Sequence, residues 1–151
     1  MRLLHRFTAL VAIACVTAFW GSTVVVELFG SPAQVAAIKQ TIVYGLFLLV
    51  PAIALTGYSG SRLAQGRYEP GVAAKRRRMP WIAAIGVLVL IPTALYLNHL
   101  AARRAIGTLF YSLQALELVA GAVNLRLMAA NLLAGRRLAR SAAPGKTARA
   151  G

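Results

Sequence analysis

The sequence predicts an all-α polytopic membrane protein, four transmembrane helices in an up-down bundle with both termini cytoplasmic. Three observations carry that prediction. Hydrophobic residues make up 59% of the 151-residue chain, against about 45–50% in an ordinary soluble domain. They gather into four segments near the ~20 residues that a bilayer-crossing helix needs. The charges, 17 Lys+Arg against 3 Asp+Glu for a net +14, fall mostly between those segments. Such hydrophobicity excludes a disordered chain, and a lone cysteine excludes an intrachain disulfide scaffold.

The first span covers about residues 7–29, with Glu27 as its only charge. A basic start fits a cleavable signal peptide, but the apolar run continues through Val24-Val25-Val26, too long for one. The second span covers about 38–57 and is charge-free from Gln40 to Ser61. Ahead of it, Gly30-Ser31-Pro32 offers a turn, an N-cap and a proline at the first helical position. The third span, about 80–100, opens at Met79-Pro80-Trp81, with the indole placed for the interface. The fourth, about 106–134, contains Glu117 and Arg126 and is expected to end at Gly135 before Arg136-Arg137. The spans form a single domain over 1–140, and the polar stretch 141–151 reads as a disordered tail.

Cation placement sets the orientation. Thirteen of the 17 cations lie at the N-terminus, in the loop from Tyr58 to Met79 and in the tail, against Lys39, Arg103 and Arg104 on the other side. The predicted location is a bacterial inner membrane. The run Lys75-Arg76-Arg77-Arg78 lacks the interleaved aromatics and binding fold of a nucleic-acid site, so no nucleic-acid partner is expected. Its expected partner is the anionic headgroup layer, at ~1 kcal/mol per cation.

Polar groups within hydrocarbon are expensive and turn toward a partner, a cavity or a function. Gln114, Glu117, Gly121, Asn124, Met128, Asn131 and Gly135 step by 3, 4, 3, 4, 3 and 4, which places them on one face of the fourth span. Such a face serves either as a packing seam, in the bundle or a homo-oligomer, or as the lining of a site with Glu117 as its ionisable member. Arg126 falls on the opposite side. Glu27 is expected to join an interfacial ion pair with Lys39, Arg103 or Arg104.

The second and third spans share a pattern, Gly45-Leu46-Phe47-Leu48-Leu49-Val50-Pro51 against Gly86-Val87-Leu88-Val89-Leu90-Ile91-Pro92, offset by 41. Each proline removes a helical hydrogen bond and frees the carbonyl of Phe47 or Leu88. Paired interruptions of this kind point to a transporter binding site, with Tyr44 and Tyr96 as hydroxyls beside the kinks. His5 and His99 lie at opposite ends of parallel helices, ~30 Å apart, too far to share a haem. No metal-ligand spacing occurs, no catalytic residues stand out, and no cofactor is expected.

These readings favour a non-catalytic membrane protein acting through helix-helix association, as a homo-oligomer or a subunit of a membrane complex. The alternative is a small-molecule or ion/proton-coupled transporter using the polar face of the fourth span and the two proline-bearing helices.

Overall fold

The computed structural model describes residues 1–64 and 70–141. Among them the chain is helical and forms no strand. Helix α1 runs Arg2–Phe29, α2 Pro32–Ala64, α3 Pro70–Ala84, α4 Ile91–Ala102 and α5 Thr108–Ser141. A π-helical segment, Ile85–Leu90, joins α3 to α4, so the three form one continuous third rod. Four stretches are long and apolar enough to cross a membrane: Leu3–Phe29, Pro32–Leu63, Arg77–Ala102 and Thr108–Arg136.

The helices extend further than hydropathy alone indicates. α2 continues through Arg62, Leu63 and Ala64, and α3 begins at Pro70, inside the stretch expected to be a long loop. Ala, Leu, Lys and Arg are strong helix formers, so helical structure persists where the bilayer-length signal ends. Proline takes the first helical position at Pro70, and Pro80, the expected start of the third span, lies inside α3. Likewise α5 passes through Gly135 to Ser141 rather than ending there. Of the expected tail, 142–151 lie outside the described residues.

The two turns at one end follow local rules. Ser31 N–H donates to Gln34 Oε1 at 2.7 Å and Gln34 N–H donates to Ser31 Oγ at 3.4 Å, a reciprocal capping box. α4 closes with Arg104 in the left-handed region (φ 55°) and Ala105 N–H donating to Leu100 O at 2.9 Å. That is a Schellman-type end built without glycine. This end of the bundle is called the turn end, and the opposite end, where α1 starts and α5 finishes, the base.

Contacts between α1 and α2 run in opposite sequence directions. His5 meets Ser59, Thr8 meets Thr56, and Phe19 sits against Gly45. Two apolar clusters fill the interior. The base cluster is Ala12, Val16, Leu49, Ala52, Ile82 and Met128. The turn-end cluster is Val26, Val35, Leu97, Ala101 and Phe110, with Leu97 and Phe110 fully enclosed. α2 packs along α4 but barely touches α3. The third rod therefore closes on α2 toward the turn end and stands away from it toward the base.

The two proline segments differ. α2 runs through Pro51 as unbroken α-helix, with the ring exposed. The third rod instead widens before Pro92, where Ile91 N–H donates to Gly86 O, five residues back. A π-turn absorbs the missing proline donor. The matching sequence pattern thus yields two different local structures.

Candidate functional site

The site begins with the inward stripe of α2. Val35, Lys39, Ile42, Leu49, Ala52 and Ser59 are buried and spaced by multiples of three and four or their sums. A lysine on that stripe has to enter the bundle. Lys39 is 0% exposed and its Nζ lies 2.6 Å from Glu117 Oε2, whose side chain is 13% exposed. Gln114 Nε2 donates to the same oxygen at 3.2 Å. Close by in sequence, Asn98 Nδ2 donates to Gln40 Oε1 at 3.2 Å. A buried ion pair is poor evidence for stability, because desolvation offsets the Coulomb attraction. Within a bilayer-spanning segment the presence of such a pair points to a role.

This arrangement corrects one expectation. Lys39 belongs to the second span, which starts at Pro32, and it pairs with Glu117 rather than with Glu27 near the interface. Glu27 Oε1 is buried and accepts no hydrogen bond. The sequence signal for Lys39 was its register with Val35, Ile42 and Leu49, which outweighs its position at the edge of the apolar run.

The predicted face of α5 lies inside the chain's own bundle. Phe110, Gln114, Gly121, Asn124, Met128 and Asn131 are buried, whereas Arg126 on the other side is exposed. Gly121 admits the indole of Trp20, since a Cβ there would meet Trp20 Cδ1 at 2.8 Å. Trp20 Nε1 donates to Leu118 O at 2.9 Å, fixing α1 on α5. Gly45 plays the same part for the Phe19 ring on α2. Small residues therefore let aromatic side chains of α1 approach both neighbours.

Beneath the ion pair lies a cavity of about 220 Å³. Its walls come from every rod: Trp20 and Thr23 of α1, Leu46 of α2, Gly86 of the π-turn, Ala94 of α4, and Glu117, Gly121 and Asn124 of α5. The lining is almost wholly apolar. Glu117 forms part of its head. Asn124, 1% exposed, forms part of its wall, and its Oδ1 accepts no hydrogen bond. Further toward the base, Asn131 is 6% exposed with both amide atoms unpartnered.

Of the residues proposed at the kinks, Gly86 reaches the cavity, and Gly45 holds Phe19, which also lines it. Pro51 and Pro92 are exposed on the outer surface. Tyr44 and Tyr96 also face outward, and Tyr96 stacks on His99. Neither tyrosine is among the cavity's lining residues, because each falls on the lipid-side register of its helix. Arg77 is exposed and Arg78 partly so, while the side chains of Lys75 and Arg76 lie outside the described residues.

At the base, His5 Nδ1 lies 3.2 Å from Thr56 O and 3.1 Å from Ser59 Oγ. Ser59 already donates to Leu55 O at 2.6 Å, so the imidazole N–H is the donor to both oxygens. His99 lies toward the turn end, away from His5. Among the described residues no three of His, Cys, Asp and Glu come together as metal ligands would. No protein-family model matches this sequence, and neither a curated protein nor a solved structure matches it.

Proposed function

We propose that this chain is a small membrane-embedded transporter, in which the Lys39–Glu117 pair is the working ionisable element at the head of the cavity. One observation carries the reading: a carboxylate that lines an intramembrane cavity is held by a fully buried lysine. Glu117 is shared between lysine, amide and cavity, so a proton or ligand reaching it would compete with Lys39. That competition is a physical basis for coupling. The inward position of Gln114, Gly121, Asn124 and Asn131 favours this reading over association with a partner, since those groups already pack within one bundle.

In the same reading the base faces the cytoplasm of a bacterium and the turn end faces outward. Arg6, Arg62, Arg77, Arg78 and Arg136 lie toward the base, and Arg62 lies over the Tyr58 ring at 5.5 Å. Juxtamembrane cations and the exposed Trp81 and Tyr58 fit a headgroup layer there.

The test uses vesicles containing the protein and an internal pH-sensitive dye, with a pH difference imposed across the membrane. Wild type should dissipate the difference faster than protein-free vesicles. The double variant Lys39→Met/Glu117→Leu, which replaces the pair with apolar groups of similar size, should return to the protein-free rate. A wild-type rate equal to that of empty vesicles would sink the transport reading.

A further inference from the structure

The cavity has a mouth, and its position says where a ligand comes from. Most of its lining is buried or half-buried, but Val50 and Ala54 on α2, with Ala83 on α3 and Val87 on the π-turn, are exposed. These four stand on the two rods that diverge toward the base. The opening is therefore lateral, between α2 and the α3–π segment, on surface that membrane lipid would cover. A solute entering there comes from the bilayer rather than from water.

The interior specifies the solute further. At about 220 Å³ the cavity is larger than the ~150 Å³ that holds a benzene ring. It is far too small for a whole phospholipid. At close packing it accommodates roughly ten non-hydrogen atoms. Below Glu117 at its head the walls are almost wholly apolar, so a charged or many-headed molecule would lose its hydration without replacement. Away from the ion pair, Asn124 is 1% exposed and its Oδ1 is an acceptor that receives no hydrogen bond from the protein. An unsatisfied buried acceptor is costly, and a ligand donor would relieve that cost.

We propose that the cavity binds a neutral, one- or two-ring apolar molecule carrying a single N–H or O–H donor, taken from the bilayer between α2 and α3, with the donor on Asn124 Oδ1. The π-turn shapes the site, because Gly86 faces Asn124 and contributes no side chain. A Cβ placed there would lie 4.0 Å from Asn124 Nδ2, so a larger residue would grow into open space. The assignment deepens the transport reading and rests on it for the direction of use, but the binding itself is measured separately.

The experiment uses full-length protein in nanodiscs and radiolabelled indole, with retention measured against empty nanodiscs. Unlabelled indole, benzofuran and indene compete; they are bicycles of equal size offering N–H, an oxygen acceptor and CH₂ at one ring position. Indole should compete about tenfold more tightly than either of the others, the effect of one buried hydrogen bond. Asn124→Leu should still retain indole but rank the three alike. Gly86→Leu should abolish retention. Ala54→Trp/Ala83→Trp, substituted on the exposed mouth, should slow uptake at least fivefold. Equal competition by all three bicycles in wild type, or a preference for benzofuran, overturns the donor assignment. No retention above empty nanodiscs overturns the site, and an unchanged uptake rate in the mouth variant overturns the lateral route. Indole retention without proton flux leaves this site standing and removes the transport reading; flux without retention does the reverse.

Discussion

The turn-end half and the base half of the bundle are built from similar residues and packed differently. Toward the turns, α2 and α4 close on each other around Leu97 and Phe110, and the interior is capped by Lys39, Glu117 and Gln114 bound to one another. Toward the base, α2 and α3 scarcely touch, and an apolar cavity opens between them beside the cluster of Ala12, Val16, Leu49, Ala52, Ile82 and Met128. The change falls at the π-turn, where the third rod alters its path ahead of Pro92. The ion pair stands where the two meet, with Lys39 fully enclosed and Glu117 at the head of a cavity that is otherwise almost wholly apolar. A buried charge requires a partner and hydrogen bonds to offset its desolvation, whereas an apolar cavity persists without them.

The sharpest way to break that contrast is to unbalance the ion pair. Glu117→Leu leaves a fully enclosed ammonium without a partner and should destabilise by about 3–5 kcal/mol. Thermal unfolding in detergent reads this, and the compensated double variant Lys39→Met/Glu117→Leu should recover most of the loss. If the single variant unfolds at the wild-type temperature, the pair is not the structural cap described above.

Core truncation should separate the halves next. Leu97→Ala empties a site with no exposed surface and should cost about 2 kcal/mol, the low end for such changes. In lipid the deleted apolar group loses little transfer energy, so the cavity term dominates. Val87→Ala, at the mouth of the cavity, should change the unfolding temperature hardly at all. Equal losses for the two would erase the difference between a packed half and an open one.

Gly121→Leu should cost about 1–3 kcal/mol, because Trp20 has to leave its place against α5. The tryptophan emission of this variant should shift as Trp20 loses its bond to Leu118 O. The smallest effect expected is a gain. Gly86→Ala introduces a Cβ into free space and lowers the entropy of the unfolded chain, so stability should rise by about 0.4–1 kcal/mol. A loss there would mean that the cavity wall is tighter than the geometry indicates.

Much of the architecture was legible in the residues. The four spans follow from apolar length, and the 3-4 spacing on α5 placed Gln114, Asn124 and Asn131 on one face that proves to be internal. Helix ends were less legible. The bilayer-length signal stops at the hydrocarbon edge, while Arg62, Leu63 and Ala64 carry the helix on. The depth of Lys39 is hard to read from sequence for a related reason. A lysine beside an apolar run reads as interfacial, and only its register with Val35 and Ile42 hints at burial. Proximity in sequence puts Tyr44 and Tyr96 beside the kinks, but helix rotation turns both outward.

The sequence by itself determined the helical class, the number of spans and the segregation of cations. Hydropathy and charge act segment by segment, and the bilayer reads them without reference to other helices. Only the tertiary structure decided that Lys39 reaches Glu117, that Pro92 produces a π-turn where Pro51 does not, and that Gly86 and Asn124 face one cavity. Each depends on the rotation and spacing of one helix against another. Those are set by packing summed over the whole bundle, in which Trp20 on Gly121 and Phe19 on Gly45 fix how closely the rods approach.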